Sequence, residues 1–267
     1  MGIVAGGEEM PFDAVVVATG GVSYPATGST GDGYRFAEQA GHTVKTPKPS
    51  LIGLETVETW PGTLAGLTLR NVTLRAYRGR KCVYESLGEL LFTHTGVSGP
   101  LVLSASARLA DKPEDALLQI DLKPGLDREM LDRRVLRDLD EFSKKQMRNA
   151  LSALLPNSLI PIVLSYADID ADAVAGQLSR EKRQALVQTL KCLPLTVKKA
   201  NPIEEAIVTR GGVSTKEVNP STMESKLVKN LYFAGEVLDV DGFTGGFNLQ
   251  IAFSTGMLAG SSIADEF

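Results

Sequence analysis

The chain has 267 residues, of which 43% are hydrophobic and 22% are charged, and its formal net charge is −4. This composition is typical of a globular protein, and the negative charge argues against a nucleic-acid or anionic-membrane partner. Two cysteines far apart in the sequence, Cys82 and Cys192, exclude a disulfide framework and predict a reduced, cytoplasmic setting. Residues 1–12 lack the pattern of a secretory signal, and the sequence contains neither an apolar run of membrane length nor a Cys/His cluster for a metal.

The N-terminal part predicts a turn followed by a strand. The turn covers residues 4–11, and the strand covers residues 12–19, where a run of valines is typical of a parallel strand buried on both faces. Gly20 and Gly21 end the strand. A tight turn is the simpler explanation of this glycine pair, and a close approach of the backbone to a dinucleotide is the functional one.

A glycine-rich loop and a helix come next. Residues 28–33 resemble a loop that cradles phosphate, but they lack a following lysine. Asp32 as the cap of the next helix explains the loop adequately. That helix is predicted over residues 34–40, with Gly41 as its C-terminal glycine.

The middle of the sequence has a different pattern. Short β-rich runs between residues 43 and 122, separated by Gly and Pro, predict an antiparallel sheet or a small barrel. One helix, residues 101–109 with Pro100 in its first turn, interrupts them. Residues 125–193 carry apolar side chains every three to four positions, which predicts a small helical bundle.

The C-terminal part returns to an α/β pattern. Residues 203–214 have β character, residues 228–234 predict a buried strand, and residues 247–264 predict a helix. The simplest architecture is therefore an α/β fold made discontinuous by an insertion. The predicted domains are a partial cofactor-binding domain (1–44 and 212–267), an inserted β-rich domain (45–124 and 194–211) and a helical insert (125–193).

The loop before the last helix is the strongest candidate site. Gly235 and Glu236 end a strand, and ligands of open α/β sheets bind outside the carboxyl ends of strands. The helix that begins near Gly245, Gly246 and Phe247 offers backbone N–H groups to a negatively charged ligand, a contribution of roughly 0.3–1 kcal/mol. The alternative is a glycine-rich connection with ordinary helix capping. Among the nearby acidic residues Glu236, Asp239 and Asp241, we expect two ligands of cofactor hydroxyls and one cap.

A second cluster, residues 92–100, joins a strand to a helix through small and polar side chains. Its His94 is a candidate for orienting a substrate or passing a proton. A loop histidine bonded to a carbonyl is the alternative. The other histidine, His42, follows a helix end and is interpreted as structural, and both cysteines are interpreted as packing residues.

These motifs together resemble a known family, the bacterial NAD(P)/FAD-dependent flavoproteins that include aminoacetone oxidase and the bile-acid reductase (BaiN-like) type. The resemblance covers nearly the whole chain in order. It rests on residues 17–21, 27–34, 92–100, 211–214, 223–226, 235–242 and 245–250.

The resemblance implies a Rossmann-like FAD domain, an inserted β-barrel-like domain, and a helical domain within that insertion. It also implies that the loop of residues 92–100 lies near the flavin. With the motifs, it predicts a cofactor-binding set of Thr19, Gly20, Gly21, Gly235, Glu236, Asp241, Gly245, Gly246, Phe247, Asn248 and Leu249.

One departure from the family pattern is large. The family opens with a strand and G-x-G-x-x-G, which bind the pyrophosphate, and residues 2–7 do not have that spacing. We expect that roughly the first third of a family member is absent from this sequence. Weak or absent FAD binding by this chain follows from that expectation.

Two functional hypotheses remain. The first is a fragment of an FAD-dependent oxidoreductase that transfers a hydride between a small organic substrate and the flavin, with NAD(P)H as a possible electron donor. The second is a cofactor-free binding or interaction module on the same scaffold. An exposed sheet edge left by an absent segment also predicts self-association, for example as a homodimer.

Overall fold

The computed structural model describes residues 2–109 and 112–266, with only the backbone of Ala5. Within these residues the chain forms twelve strands and seven α-helices. The strands are β1 (Gly2–Ala5), β2 (Glu8–Pro11), β3 (Val15–Val17), β4 (Val44–Ser50), β5 (Leu54–Thr56), β6 (Thr68–Arg78), β7 (Lys81–Phe92), β8 (Gly96–Ser98), β9 (Leu117–Asp121), β10 (Leu193–Ala200), β11 (Val208–Val213) and β12 (Leu231–Phe233). The helices are α1 (Asp32–Gln39), α2 (Pro100–Leu109), α3 (Arg128–Glu141), α4 (Met147–Ala150), α5 (Ile160–Tyr166), α6 (Arg180–Lys191) and α7 (Phe247–Glu266).

The chain divides into two compact units. The described residues of Met1–Ile52 and Asn201–Phe267 form the first unit, and those of Gly53–Ala200 form the second. The first unit contains a parallel strand pair with helices, and the second contains a closed barrel with helices. The predicted α/β class, discontinuous and with a barrel-like insertion, is therefore confirmed. The exact three-domain boundaries stay a prediction.

The first unit begins with a hairpin. Strands β1 and β2 pair antiparallel around Gly6 and Gly7, whose φ angles are 60° and 87°. Glycine adopts two such angles in succession without strain. The predicted turn is thus confined to these two residues, and the prediction is wrong for residues 4–5 and 8–11 because they form strands.

Strand β3 pairs in parallel with β12, with Val15, Val16 and Val17 opposite residues 231–233. Val17 is buried, but the Val16 side chain is 41% exposed. Within the described residues, β12 is the one strand that pairs with β3, so the second edge of β3 is uncovered. The predicted burial on both faces is therefore wrong for this chain, and the strand is shorter than predicted.

Helix α1 begins differently from the prediction. Gly31 occupies the N-cap position with φ 82°, and Asp32 is the first helical residue. The Asp32 carboxylate accepts bonds from Thr30 Oγ1 at 3.1 Å and Arg35 Nη2 at 2.8 Å. Asp32 is not the cap, because a residue in left-handed conformation precedes it.

The C-terminus of α1 follows the prediction. Gly41 has φ 85°, and its N–H donates to the Glu38 carbonyl at 3.0 Å. The N–H of His42 donates to the Ala37 carbonyl at 2.9 Å. This pair of bonds is the Schellman motif that a C-terminal glycine permits.

His42 is structural, as predicted. Its Nε2 lies 2.7 Å from Ser225 Oγ, and its Nδ1 lies 3.4 Å from Glu217 Oε2. Ser225 Oγ already accepts the N–H groups of Leu227 and Val228 at 3.0 and 2.9 Å, so its own proton points to Nε2. The neutral ring then carries its proton on Nδ1, towards the carboxylate.

We expect the stability of the protein to fall as pH falls through the His42 transition. Burial lowers the pKa of His42 below its ordinary value of 6.5, and the Glu217 charge only partly offsets this. The unfolded chain therefore binds a proton before the folded chain does, and the free energy of unfolding decreases below about pH 6.5. Urea denaturation between about pH 7.5 and 5.5 measures the effect. His42→Asn should flatten this pH dependence, and equal pH dependence in both proteins would contradict the assignment.

The second unit is built on a closed barrel of strand order β10-β5-β8-β7-β6-β9, with every neighbouring pair antiparallel. This outcome matches the barrel alternative of the prediction. Strand β7 runs without a break from Lys81 to Phe92, and α2 has the predicted bounds. Cys82 on β7 is exposed, so its predicted packing role is wrong. The barrel interior is filled by apolar side chains such as Leu74, Leu90, Phe92, Leu118, Ile120 and Leu195.

Helices α3 to α6 confirm the helical pattern of residues 125–193. Asp127 caps α3 by accepting the Met130 N–H at 2.7 Å, and Ser179 caps α6 by accepting the Lys182 N–H at 3.3 Å. Buried apolar side chains on these helices belong to the same core as the barrel, among them Leu131, Val135, Leu186 and Leu190. The bundle therefore does not have a core of its own.

Truncation of Phe92 should destabilise the protein strongly. Its side chain is fully buried in the barrel, and removing it leaves a cavity as well as lost apolar contact. We expect Phe92→Ala to cost about 3–5 kcal/mol in the free energy of unfolding. Leu87→Ala on the same strand is the matched control, because Leu87 is 61% exposed, and its effect should stay within about 0.5 kcal/mol. Similar losses in the two variants would refute this core assignment.

Helix α7 runs two residues past its predicted end. Ala259 is buried, but Leu249, Phe253 and Met257 are 63–74% exposed. An added Cβ at Gly256 or Gly260 would meet no neighbour within 4 Å. Gly256 and Gly260 therefore make no close packing contact with the described residues. Across the described residues, no helix combines the length and apolarity needed to cross a membrane.

Candidate functional site

The candidate site lies at the carboxyl ends of β3 and β12. Because the two strands are parallel and adjacent, the segments that follow them emerge at the same sheet edge. The Ala234 N–H continues the pairing by donating to the Val17 carbonyl at 3.1 Å. The structure thus brings residues 19–21 next to Gly235 and Glu236, although more than 200 positions separate them in the sequence.

The glycines at this edge have separate reasons to be glycine. Gly20 has φ 77° and Gly235 has φ 76°, a conformation that other residues rarely adopt. Gly21 has no such angle. A Cβ there would collide with the Thr209 side chain and with Glu236 Oε1. The tight turn is therefore confirmed, and the close approach of a dinucleotide to this glycine pair stays a prediction.

Glu236 holds protein groups at this edge. Its Oε1 accepts the N–H of Thr209 at 2.7 Å and the hydroxyl of Ser23 at 3.2 Å. Thr209 Oγ1 in turn accepts the N–H groups of Val22 and Ser23 at 2.8 and 3.1 Å. The roles of Thr209 and Ser23 could not be predicted from the sequence, because an isolated serine or threonine does not indicate a hydrogen-bond partner about 186 residues away.

Tyr34 lies beside this cluster. Burial raises the pKa of Tyr34 to about 12, and the nearby Glu236 carboxylate acts in the same direction. The hydroxyl is therefore protonated at every physiological pH. Gly33, which precedes it on α1, packs so closely on Thr19 that a Cβ would overlap the Thr19 hydroxyl. That hydroxyl is buried and has no hydrogen-bond partner in the described part of the chain.

The start of α7 is the most open part of the site. Gly245 and Gly246 have φ angles of 105° and 89°, and both are exposed. The Asn248 side chain accepts the Gly242 N–H at 2.8 Å and donates to the Gly242 carbonyl at 3.0 Å, which fixes the loop before the helix. Phe247 and Leu249 point into solvent.

This arrangement fits a negatively charged group of a cofactor. The first turn of a helix carries N–H groups without intrahelical partners, and a Cβ at Gly246 would meet no atom within 4 Å, so a ligand can approach. Gly235 ties the helix to the sheet edge, since its N–H donates to Thr255 Oγ1 at 2.9 Å. We call the exposed backbone N–H groups at Gly245, Gly246 and Phe247 the amide edge, and Gly20, Gly21 and Gly235 at the carboxyl ends of β3 and β12 the glycine edge. Gly235 contacts the helix whose first turn carries the amide edge, and we treat the two edges as one candidate site.

The other acidic residues also bond to the protein. Asp241 Oδ2 accepts the Ser50 hydroxyl at 2.7 Å, and Arg210 lies 4.0 Å from its other oxygen. Asp239 pairs with Lys45. The assignment of two of the three carboxylates as ligands stays a prediction, and Asp241 is the one that lies nearest in sequence to the amide edge.

His94 belongs to the second unit. It lies on an exposed turn between β7 and β8, which is closed by the Thr93 N–H donating to the Gly96 carbonyl at 2.9 Å. The Gly96 N–H returns a bond to Thr93 Oγ1 at 3.1 Å. The turn is thus fixed by its neighbours, and the catalytic role of His94 stays a prediction.

Replacing Gly21 tests the close packing at the sheet edge. The added methyl group of Gly21→Ala would overlap Thr209 and Glu236, so we expect a loss of about 1–3 kcal/mol in the free energy of unfolding. Gly256→Ala on α7 is the control, because it enters open space on a helix and should stabilise by about 0.5–1 kcal/mol. Chemical denaturation compares the two, and a neutral Gly21→Ala would contradict the packing.

Comparison with known proteins places the chain among its relatives. It is 33% identical over 267 residues to the 3-dehydro-bile acid delta(4,6)-reductase of Clostridium scindens, covering 99% of this chain and 65% of that protein. It is 37% and 34% identical to the ribosomal RNA dihydrouridine synthases of Haemophilus influenzae and Escherichia coli, covering 94% and 91% of this chain and 60% and 58% of those proteins. The chain thus spans less than two thirds of the length of these relatives.

The family comparison agrees with the resemblance found in the sequence. The HI0933-like protein Rossmann domain matches residues 2–262, which include most of both segments of the first unit and the whole second unit. The match covers the parallel strand pair, the glycine edge and the start of α7. The chain therefore belongs to the HI0933-like Rossmann family.

Proposed function

We propose that this chain carries the flavin-ring side of the active site of an FAD-dependent oxidoreductase. The observation that supports this proposal is the open amide edge at Gly245, Gly246 and Phe247, tied to the glycine edge of the β3–β12 sheet. The family membership and the reductase name of one relative support the same class of reaction.

In this proposal, FAD when bound would supply the hydride-transfer chemistry. The chain would contribute the N–H groups of Gly246 and Phe247 at the start of α7. Their dipoles would stabilise negative charge on the cofactor by roughly 0.3–1 kcal/mol, and by about 2 kcal/mol when well buried. Gly20 and Gly235 would allow the cofactor to approach the sheet edge, and Asn248 would keep the amide loop in its bound shape.

The substrate class follows from chemistry that the relatives' names share. A delta(4,6)-reductase and a dihydrouridine synthase both add two hydrogens across a carbon–carbon double bond that is conjugated to a carbonyl group. We propose a small organic molecule of this type as the substrate. Addition requires a hydride at one carbon and a proton at the other, and His94 is the candidate for the proton transfer. NAD(P)H as electron donor is part of the same proposal.

A uracil in RNA is the alternative substrate that the two dihydrouridine synthases raise. The net charge of −4 gives no electrostatic support for binding a phosphate backbone. The chain therefore favours a small molecule. A homodimer, predicted from an exposed sheet edge, stays a proposal that sedimentation can test.

Flavin binding to the isolated chain tests the proposal. FAD should shift the backbone amide NMR signals of Gly20, Gly245, Gly246 and Phe247, whereas ADP, which lacks the ring, should not. The affinity should be low because the sequence contains no G-x-G-x-x-G. If saturating FAD shifts none of these signals, the cofactor-free module is the better description and the proposal is overturned.

Asn248→Asp should weaken FAD binding about tenfold, which corresponds to about 1.4 kcal/mol. The substitution keeps the shape of the side chain but removes its donors to the carbonyls of Gly242 and Phe243, so the amide loop loses its anchor. Asn157→Asp in the second unit is the charge-matched control, because Asn157 is exposed, and it should leave the affinity unchanged. Equal titration curves for both variants would count against the role of the loop.

A further inference from the structure

Thr209, Ser23 and Glu236 form a closed hydrogen-bond ring in which two paths of donation both end at the Glu236 carboxylate. Thr209 Oγ1 accepts two backbone N–H groups, so its own proton must go to Ser23 Oγ, 2.8 Å away. The Ser23 hydroxyl then donates to Glu236 Oε1 at 3.2 Å, and the Thr209 N–H donates to the same oxygen at 2.7 Å. Every donor in the ring thus points towards the negative charge of Glu236.

The ring joins parts of the first unit that belong to two different sheets. Thr209 lies on β11, which pairs with β4, whereas Ser23 and Glu236 follow β3 and β12. Thr209 has no exposed surface and Ser23 is buried. Hydrogen bonds to a charged group in such a protected position are stronger than those between neutral groups. The ring is therefore a strong cross-link between the two sheets.

The ring also fixes the backbone that follows β3. The consecutive N–H groups of Val22 and Ser23 converge on the single oxygen Thr209 Oγ1. Two successive amides that converge in this way form a concave donor site of the kind that often binds an anion, and here a hydroxyl fills it. Gly21 lies directly against the same hydroxyl. The course of Gly20 and Gly21 at the sheet edge is thus set by Thr209.

We propose that Thr209 is a positioning residue for the flavin site, since its hydroxyl holds the segment from Gly20 to Ser23 in the shape that receives the cofactor. This inference rests on the proposed function. Its physical basis is preorganisation, because a loop that is already fixed loses no conformational freedom when the ligand binds.

A pair of substitutions isolates the hydroxyl. Thr209→Val keeps the shape of the side chain but leaves the Val22 and Ser23 amides without an acceptor, whereas Thr209→Ser keeps the oxygen. We expect Thr209→Val to speed hydrogen exchange at these two amides and to weaken FAD binding about tenfold, and Thr209→Ser to stay within about twofold of the unchanged protein on both readouts. Thr189→Val removes another buried threonine hydroxyl, in the second unit, and should change neither readout.

The outcomes separate this inference from the proposed function. If the unchanged protein binds FAD and Thr209→Val binds it equally well, the positioning role is overturned and the proposed function stands. If the unchanged protein binds no FAD, both are overturned. If Thr209→Val does not fold, Thr209→Ala provides the test, because it removes the same acceptor without placing a methyl group against the two amides. A weakening of FAD binding of about tenfold supports the inference, and unchanged affinity overturns it.

Discussion

The parallel pairing of β3 with β12 is the constraint on which the candidate site depends. Three residue pairs join strands that lie more than 200 positions apart in the sequence. Parallel direction places the segments after both strands at one edge, where the glycine edge and the start of α7 meet. An antiparallel pairing of the same strands would put Gly20 and Gly235 at opposite ends of the sheet, and the site would not exist.

The carboxylates and the backbone amides at this edge have different roles. The carboxylates of Glu236 and Asp241 bond to protein donors, which keeps half-buried charges satisfied and holds the surrounding loops in place. The exposed glycines before α7 present backbone groups that a ligand can reach. In such a candidate site, the acidic residues hold the loops in place, and the backbone N–H groups are accessible to a ligand.

Local patterns predicted local structure well. The bounds of α2 and the Schellman glycine Gly41 follow from interactions within a few residues. Predictions that required a distant partner were less successful. The predicted burial of β3 on both faces is wrong at Val16, whose side chain is 41% exposed. The cap of α1 is an exception among the local predictions, because Gly31 occupies the N-cap position that was predicted for its neighbour Asp32.

The sequence by itself determined the class of fold, the family and the glycine-rich segments of the candidate site, because strand periodicity, turn glycines and motif order are properties of short stretches of chain. Tertiary structure alone decided what those segments contact. Thr209, Ser23 and Glu236 meet because two separate sheets fold against each other, and a hydrogen bond between residues about 186 positions apart leaves no trace in either local sequence. The roles of the carboxylates were decided in the same way, by the donors that folding brought to them.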